Sequence, residues 1–400
     1  MSAPGTAPPV AWSTQVRVRD GVRFRREAFG GVAYVPELDR FAALDHRAAG
    51  LVAGHRAPAD HEEWSLASEL TAAGILDGPP AGDCRPPAGR SLIGAFDDLP
   101  ALEGPLVVNT FATAFCPLRC RYCHADDLMQ PFRAGESDED LERVARTAAA
   151  VPAMVAVITG GDPIVSPVRS ARLIEKLAGE KAIVVDTSGA GDVTPLIPLL
   201  KGVQGHLRVS LDSAGAALHD RLRPISPRLL PRGTSSHAAA WATIHRAVEA
   251  DVAVTVQTVV TRANEDPGHL ASLAGALTRA GVRNWVLHVV VPAGKAAEPR
   301  NRALLPGADV SRKLAEVVER VDGDLRVRVT ATHANPNAVL LVGSRGDVYA
   351  ETGPAGKVKI AEATGDRDAL LRLFRDRVDL RAHANRYLGG TAPFRTSADA

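Results

Sequence analysis

Cysteine is scarce in this sequence: 400 residues carry 4, and three of them fall between Cys116 and Cys123. Thiols so few and so clustered fit a ligand set in a reducing compartment better than a disulfide framework. Cys84 stands apart, and no cysteine follows Cys123. An excess of one charge is lacking too. Lys and Arg number 47 against 46 Asp and Glu, and a net +1 gives no general attraction for nucleic acid or an anionic membrane. No apolar stretch approaches the roughly 18 residues of a spanning helix. The opening residues, Met1 to Gln15, have neither a basic start nor an apolar signal core. The chain is therefore expected in the cytoplasm, with no membrane and no nucleic-acid partner. What remains, 46% hydrophobic and 23% charged residues, is ordinary globular composition. Its length predicts two or three domains.

Pattern and punctuation divide the chain into 1–77, a Pro/Gly-rich linker over 78–104, a central region over 105–295 and a last region over 296–400. In the first, Val16–Arg19 and Val22–Phe24 alternate apolar with charged residues about an Asp20-Gly21 turn, which predicts a strand pair. Gly31–Val35 predicts a third strand, at the edge of that small sheet. One helix is predicted to start at an Asp45 N-cap, and another to carry Trp64, Leu66 and Leu70 and end at Gly74. The result is a winged-helix-like α+β module. The central region alternates helical stretches with apolar runs that begin at Leu106, Met154, Ala182, Leu207, Val252 and Asn284. Such runs predict an α/β fold, a partial (β/α)6 barrel around a parallel sheet, with its chemistry at the C-terminal ends of the strands. The last region predicts a hairpin turning at Ser344-Arg345-Gly346, a strand from Lys357 and a helix over Asp366 to Arg377, a small α+β extension. The polar segment from Arg381 through His383 and Tyr387 to Leu388 predicts a solvated final helix, with folding back over the barrel mouth as the alternative.

The segment Cys116-Pro-Leu-Arg-Cys120-Arg-Tyr122-Cys123 directly follows the first of these apolar runs. Three thiolates at this spacing can each reach one corner of an iron–sulfur cubane and leave the fourth iron open. The competing reading is a zinc knuckle completed by His124. The segment resembles the CxxxCxΦC signature of the radical S-adenosylmethionine (SAM) superfamily, with Tyr122 at its aromatic position. That resemblance implies one [4Fe–4S] cluster held by Cys116, Cys120 and Cys123, S-adenosylmethionine as cofactor, and Tyr122 near the adenine. The run Thr159-Gly160-Gly161-Asp162-Pro163 resembles the family's GGEP motif, with Asp in place of Glu, and implies a cradle for the methionyl ammonium. By the same resemblance Ser188, Ser210 and Asp212 contact the methionyl or ribose groups. Ser210 through Pro224 resembles a stretch of peptide-modifying members, which makes Arg223 a candidate for the methionyl carboxylate. The alternative is that His219-Asp220 merely cap the following helix. Gln257, Thr258 and His288 are candidates for lining the cavity, and Val291 through Ala296 resembles the turn that ends this barrel.

Residues Arg25–Tyr34 with Leu44–Ala49 resemble the recognition element of ribosomal peptide pathways, related to the pyrroloquinoline quinone peptide chaperone. The resemblance implies that a precursor leader adds a strand to the third strand of the module. A winged helix for DNA or a structural cap is the alternative. The last region looks like the SPASM-like extension of peptide maturases, yet without cysteines no thiolate-held auxiliary cluster can be built there. Together these resemblances imply an enzyme that abstracts a hydrogen atom from a precursor peptide and forms a cross-link, with flavodoxin or ferredoxin as electron donor. The alternatives are a peptide epimerase using Cys84 as hydrogen donor, an enzyme of a small metabolite, and a non-catalytic iron–sulfur sensor.

Overall fold

Alternation along the strands decides which side of the sheet each residue serves. The computed structural model describes residues 16–54, 57–77, 102–130, 135–226, 234–321, 323–330, 338–351 and 356–388. Cys84, with most of the linker, and the tail from Gly389 lie outside them.

The N-terminal module comprises β1 (Arg17–Val18), β2 (Arg23–Glu27), β3 (Gly30–Val35), β4 (Arg40–Leu44), α1 (His46–Gly54), α2 (His61–Ala72) and β5 (Leu76–Asp77). The expected hairpin about Asp20-Gly21 does not form: β1 pairs with β5, and β2 pairs with β3. Nor is Gly30–Val35 an edge strand. The sheet order β2-β3-β4 puts it in the centre, and all six of its residues are buried. Its Ala33 and Val35 pack beneath α1 and α2, while Val32 and Tyr34 face the central domain. Asp45 caps α1 as expected by accepting the Ala48 N–H, and α2 is capped by Asp60, which accepts that of Glu63.

The six apolar runs form β6 (Val107–Thr113), β7 (Val155–Gly160), β8 (Ala182–Thr187), β9 (His206–Ser210), β10 (Ala253–Val260) and β11 (Asn284–Val289). They are joined through α3 (Asp138–Ala150), α4 (Pro167–Leu177), α5 (Ile197–Gly202), α6 (Ala216–Leu222), α7 (Ser236–Glu249) and α8 (Pro267–Arg279). After α9 (Val310–Arg320) come β12 (Arg326–Thr330), β13 (Leu340–Val342), β14 (Val348–Glu351), β15 (Lys357–Ala361), α10 (Arg367–Arg377) and α11 (Leu380–Leu388). The sheet order is β12-β11-β10-β9-β8-β7-β6-β13-β14-β15. Pairing is parallel from β12 through to β13, so the parallel sheet gains a strand at each end beyond the six runs. The hairpin β13–β14 turns where expected and continues that sheet. The helices lie on its outer face: Leu141, Val144, Ala145 and Ala148 of α3 bury one stripe against Val108, Ala156 and Ile158.

The module sits at the end of the sheet where the strands begin. Arg25 donates to the carbonyls of Gly104, Pro105 and Pro152, and Arg23 to that of Ala178. His206 and Asn284, the first residues of β9 and β11, bond the carbonyls of Pro36 and Glu37. The final helix is neither solvated nor at the opposite mouth: α11 packs at this same end and buries His383 between the start of β6 and Ala338. No helix among the described residues is long and apolar enough to cross a membrane.

Candidate active site

The cysteine loop leaves β6 at its C-terminal end, and its backbone is bonded on three sides. Toward β7, Gly161 donates its N–H to the Thr113 carbonyl at 2.8 Å and Asp162 to that of Phe115 at 3.0 Å. Both glycines are required there. Gly160 has φ +125°, and a Cβ on Gly161 would lie 2.0 Å from the Phe115 oxygen. Toward the end of α6, Arg119 and Arg121 donate to Pro224 and Leu222, and Ser226 donates to Pro117. From the turn after β11, Lys295 donates its N–H to the Cys123 carbonyl at 3.0 Å. The structure thus brings together four separate segments singled out in the sequence.

Cys116, Cys120 and Cys123 are free and half-buried on this loop. Burial raises the pKa of all three, that of Cys120 to about 12, even with the Arg223 guanidinium opposing. A cationic metal centre reverses that penalty, since a coordinating thiol is deprotonated outright. His124, which would complete a zinc site, instead turns Nε2 to the Glu351 carboxylate of β14.

Asp162 is buried, and its carboxylate accepts from the Thr187 hydroxyl at 2.5 Å, the Ser188 N–H at 3.0 Å, the Ser188 hydroxyl and the Ile164 N–H at 3.3 Å. Burial raises its pKa against the pull of these donors. It fastens the end of β8 to the double-glycine turn. Pro163 begins the short 3-10 turn that follows.

A second buried carboxylate, Asp212 just beyond β9, accepts from Arg223 Nε at 2.7 Å and Nη2 at 3.3 Å, from the Val259 N–H at 2.9 Å and from the Tyr122 hydroxyl. The Arg223 guanidinium lies 5.3 Å from the centre of the Tyr122 ring. Although burial opposes ionisation of Asp212, the Arg223 charge holds its pKa below the usual carboxylate range. His219 braces this cluster by accepting the Asp212 N–H at Nδ1, 3.1 Å. Asp220 caps α7 through Ser236 and His237. Of the neighbouring pair on β10, Gln257 faces the barrel interior, as does His288 on β11. Thr258 points outward, donating to the Leu211 carbonyl and accepting from Trp285, because adjacent strand residues face opposite ways. Ser210 also faces inward.

Glu136 escaped the sequence analysis. It accepts the Thr113 hydroxyl and the Ala114 N–H, each at 2.7 Å, and so fixes the base of the cysteine loop. A lone Glu before a helix carries no local signal for that role. Arg208 and Arg328, which face the interior of the barrel, were missed as well, although Leu207–Ser210 and Leu325–Thr330 alternate apolar with polar residues visibly enough to have shown which way they face.

A thiol-bearing loop stitched to a double-glycine turn at the C-terminal ends of parallel strands defines a class of enzyme. Residues 110–274 match the Radical SAM superfamily. The chain is a radical SAM enzyme, with one [4Fe–4S] cluster and S-adenosylmethionine as its cofactors. No curated protein matches it in sequence. In fold it is similar to Streptococcus suis SuiB bound to precursor peptide SuiA, at 14% identity and TM-score 0.57, over 96% of this chain and 91% of that one. SuiB bound to S-adenosylmethionine aligns over 83% of this chain and 82% of that one, at 13% identity and TM-score 0.53. For anSMEcpe with bound AdoMet and Kp18Cys peptide the values are 71% and 89%, 12% and 0.51.

Proposed function

We propose that this enzyme abstracts a hydrogen atom from an unactivated carbon of a ribosomally made precursor peptide and closes a carbon–carbon or carbon–heteroatom cross-link. The observation that carries the reading is the joining of the cysteine loop, the double-glycine turn and the Asp212–Arg223 pair at the strand ends, above an interior lined with polar side chains. Likeness of fold to SuiB across nearly the whole chain, N-terminal module included, supports a peptide substrate.

Cys116, Cys120 and Cys123 would hold three irons and leave the fourth to S-adenosylmethionine. When bound, the cluster would supply the electron for reductive cleavage of that cofactor. Gly160 and Gly161 let the backbone come close to the methionyl group, and Asp162 keeps Ser188 beside it. Arg223 has Nε and Nη2 committed to Asp212, so Nη1 is what it offers the methionyl carboxylate. Asp212 holds the Tyr122 hydroxyl and so orients that ring toward the adenine. The N-terminal module would receive the leader on an outer strand, β2 or β4, since β3 is paired on both sides. Flavodoxin or ferredoxin would deliver the electron.

The test is anaerobic incubation of the reconstituted enzyme with peptides encoded beside its gene, in deuterium oxide, followed by mass spectrometry. Loss of about two hydrogens is expected for a cross-link, one as a hydrogen atom carried off on 5′-deoxyadenosine and one as a proton whose electron would return to the cluster or to the flavodoxin or ferredoxin. Deuterium at Cα without mass loss would replace cross-linking by epimerisation, and no change in any peptide would remove the peptide reading.

A further inference from the structure

Below the cysteine loop, the interior of the barrel holds polar side chains that the chemistry above does not use. Asp186, Arg208, Ser210, Gln257, His288 and Arg328 lie on the inner face of β8 to β12, because Val185, Leu207, Val209, Val256, Leu287 and Val327 alternate with them into the buried outer layers. Each of the six inner residues is half-buried although it sits in mid-sheet. The space they face is therefore reached by water.

Their charges are not evenly matched. Arg208 is neutralised by Asp39, with both hydrogen bonds at 2.6 Å. Arg328 has no such partner: among the described residues it makes no hydrogen bond or ion pair, and its Nε is buried and unsatisfied. The carboxylate whose field reaches it is again Asp39, whose oxygens are already taken by Arg208 and Tyr34. Leaving that buried Nε without an acceptor is costly unless a ligand completes it. Beside it on the adjacent strand, in a register that pairs Val286 with Arg328 and His288 with Thr330, stands His288. Its Nδ1 meets the Thr330 hydroxyl at 2.6 Å, which leaves Nε2 on the inner face. Burial and the surrounding cations hold its pKa at about 3, so it adds a polar contact without charge.

From this we infer that Arg328, with His288 beside it on β11 and Gln257 level with it across that strand on β10, forms a subsite inside the barrel for one carboxylate of the substrate. With His288 and Gln257 neutral, Arg328 presents one positive charge to this part of the interior, Arg326 lying nearer the start of β12 and Asp186 away on β8, and one charge suits a carboxylate better than the roughly −1.5 to −2 of a phosphate. The source is an Asp or Glu side chain or a peptide C-terminus, and the assignment of a peptide to the barrel rests on the function proposed above.

Equilibrium dialysis of labelled model compounds against the reconstituted holoenzyme with S-adenosylmethionine tests the subsite directly. N-acetylglutamate N-methylamide carries a side-chain carboxylate, N-acetylalanine an α-carboxylate, and N-acetylglutamine N-methylamide neither. At least one carboxylate should bind about tenfold or more tightly than the glutamine compound, and whichever does so identifies the source. Arg328→Gln should abolish the preference, and Arg328→Lys should keep it with weaker binding. Equal binding of charged and uncharged compounds to the wild type, a result that needs no variant to fold, would overturn the subsite. So would a preference that survives in Arg328→Gln. Because this readout requires no turnover, a carboxylate preference found without modification of any peptide would sink the peptide reading and leave the subsite standing.

Discussion

Asp39, at the tip of the N-terminal module, and Arg208, in the middle of β9, form a buried two-point ion pair 169 positions apart in the chain. Arg208 Nε and Nη2 each donate at 2.6 Å, and the Tyr34 hydroxyl donates to the same carboxylate at 3.0 Å. The Arg208 charge holds the pKa of Asp39 far below its ordinary value in spite of burial. Breaking such a pair from one side leaves a stranded charge, which costs about 3–5 kcal/mol. Asp39→Asn should therefore lower the unfolding midpoint markedly in a denaturant titration. A double variant with Arg208→Met should recover part of the loss. A change near zero in the single variant would mean that the module is not fastened to the barrel at this point.

The module's position also sets a length for any substrate held there. It covers the end where the strands begin, and the cysteine loop lies at the other end of strands of about six residues, roughly 20 Å away. If a leader docks on the module, a precursor with fewer than about six residues between leader and target cannot span the barrel extended. Successive deletions in that spacer should leave binding to the full enzyme unchanged and abolish modification below that length. Modification that persists after complete removal of the spacer would show that the leader docks elsewhere.

Replacing Cys116, Cys120 and Cys123 together by Ala should remove iron and brown colour from the anaerobically reconstituted protein and stop cleavage of S-adenosylmethionine. The wild type should hold about four irons per chain. The fold should persist, since these side chains make none of its core contacts beyond the partial packing of Cys120. An intact cluster in the triple variant, or zinc in place of iron in the wild type, would refute the assignment.

What the sequence disclosed and what it hid divide along a physical line. The cysteine spacing, the double glycine and the six apolar strands are local patterns, and each stands where expected. Arg40–Leu44 gave no strand signal, because its last four residues are all buried and no alternation appears. The Asp20-Gly21 turn suggested a hairpin, whereas β1 finds its partner at Leu76–Asp77 across the two helices. The destination of α11 was equally hidden: its polar residues look solvated until His383 is seen between two strands. Asp39 carries meaning only through its long-range contact with Arg208, and alternation shows which way Arg328 faces but not that it lacks a partner.

Asp162→Asn should raise the S-adenosylmethionine concentration that half-saturates 5′-deoxyadenosine formation while iron content stays the same. Each carboxylate oxygen accepts a backbone N–H, from Ile164 or Ser188, so an amide must present its NH2 to one of them. That mismatch costs about 1–3 kcal/mol and loosens the end of β8 at the cofactor cradle. Unchanged half-saturation would mean that this network does not shape the cradle.

His383 gives the fold a dependence on pH. Its Nε2 accepts the Leu106 N–H at 2.8 Å, and its Nδ1 faces the Ala338 carbonyl at 2.7 Å, so the ring is neutral with the proton on Nδ1. Burial lowers its pKa to about 3, against about 6.5 in an unfolded chain. Between these values the unfolded state binds the extra proton and the folded state does not, so stability falls as pH drops from 6.5 toward 3. Above 6.5 both states are neutral and the contribution is constant. His383→Gln removes this linkage along with the clamp. The variant should be less stable at pH 7, and the gap between its unfolding midpoint and that of the wild type should narrow steadily toward pH 4.5. A gap of the same size at both ends of that range would show that protonation of His383 is not coupled to unfolding.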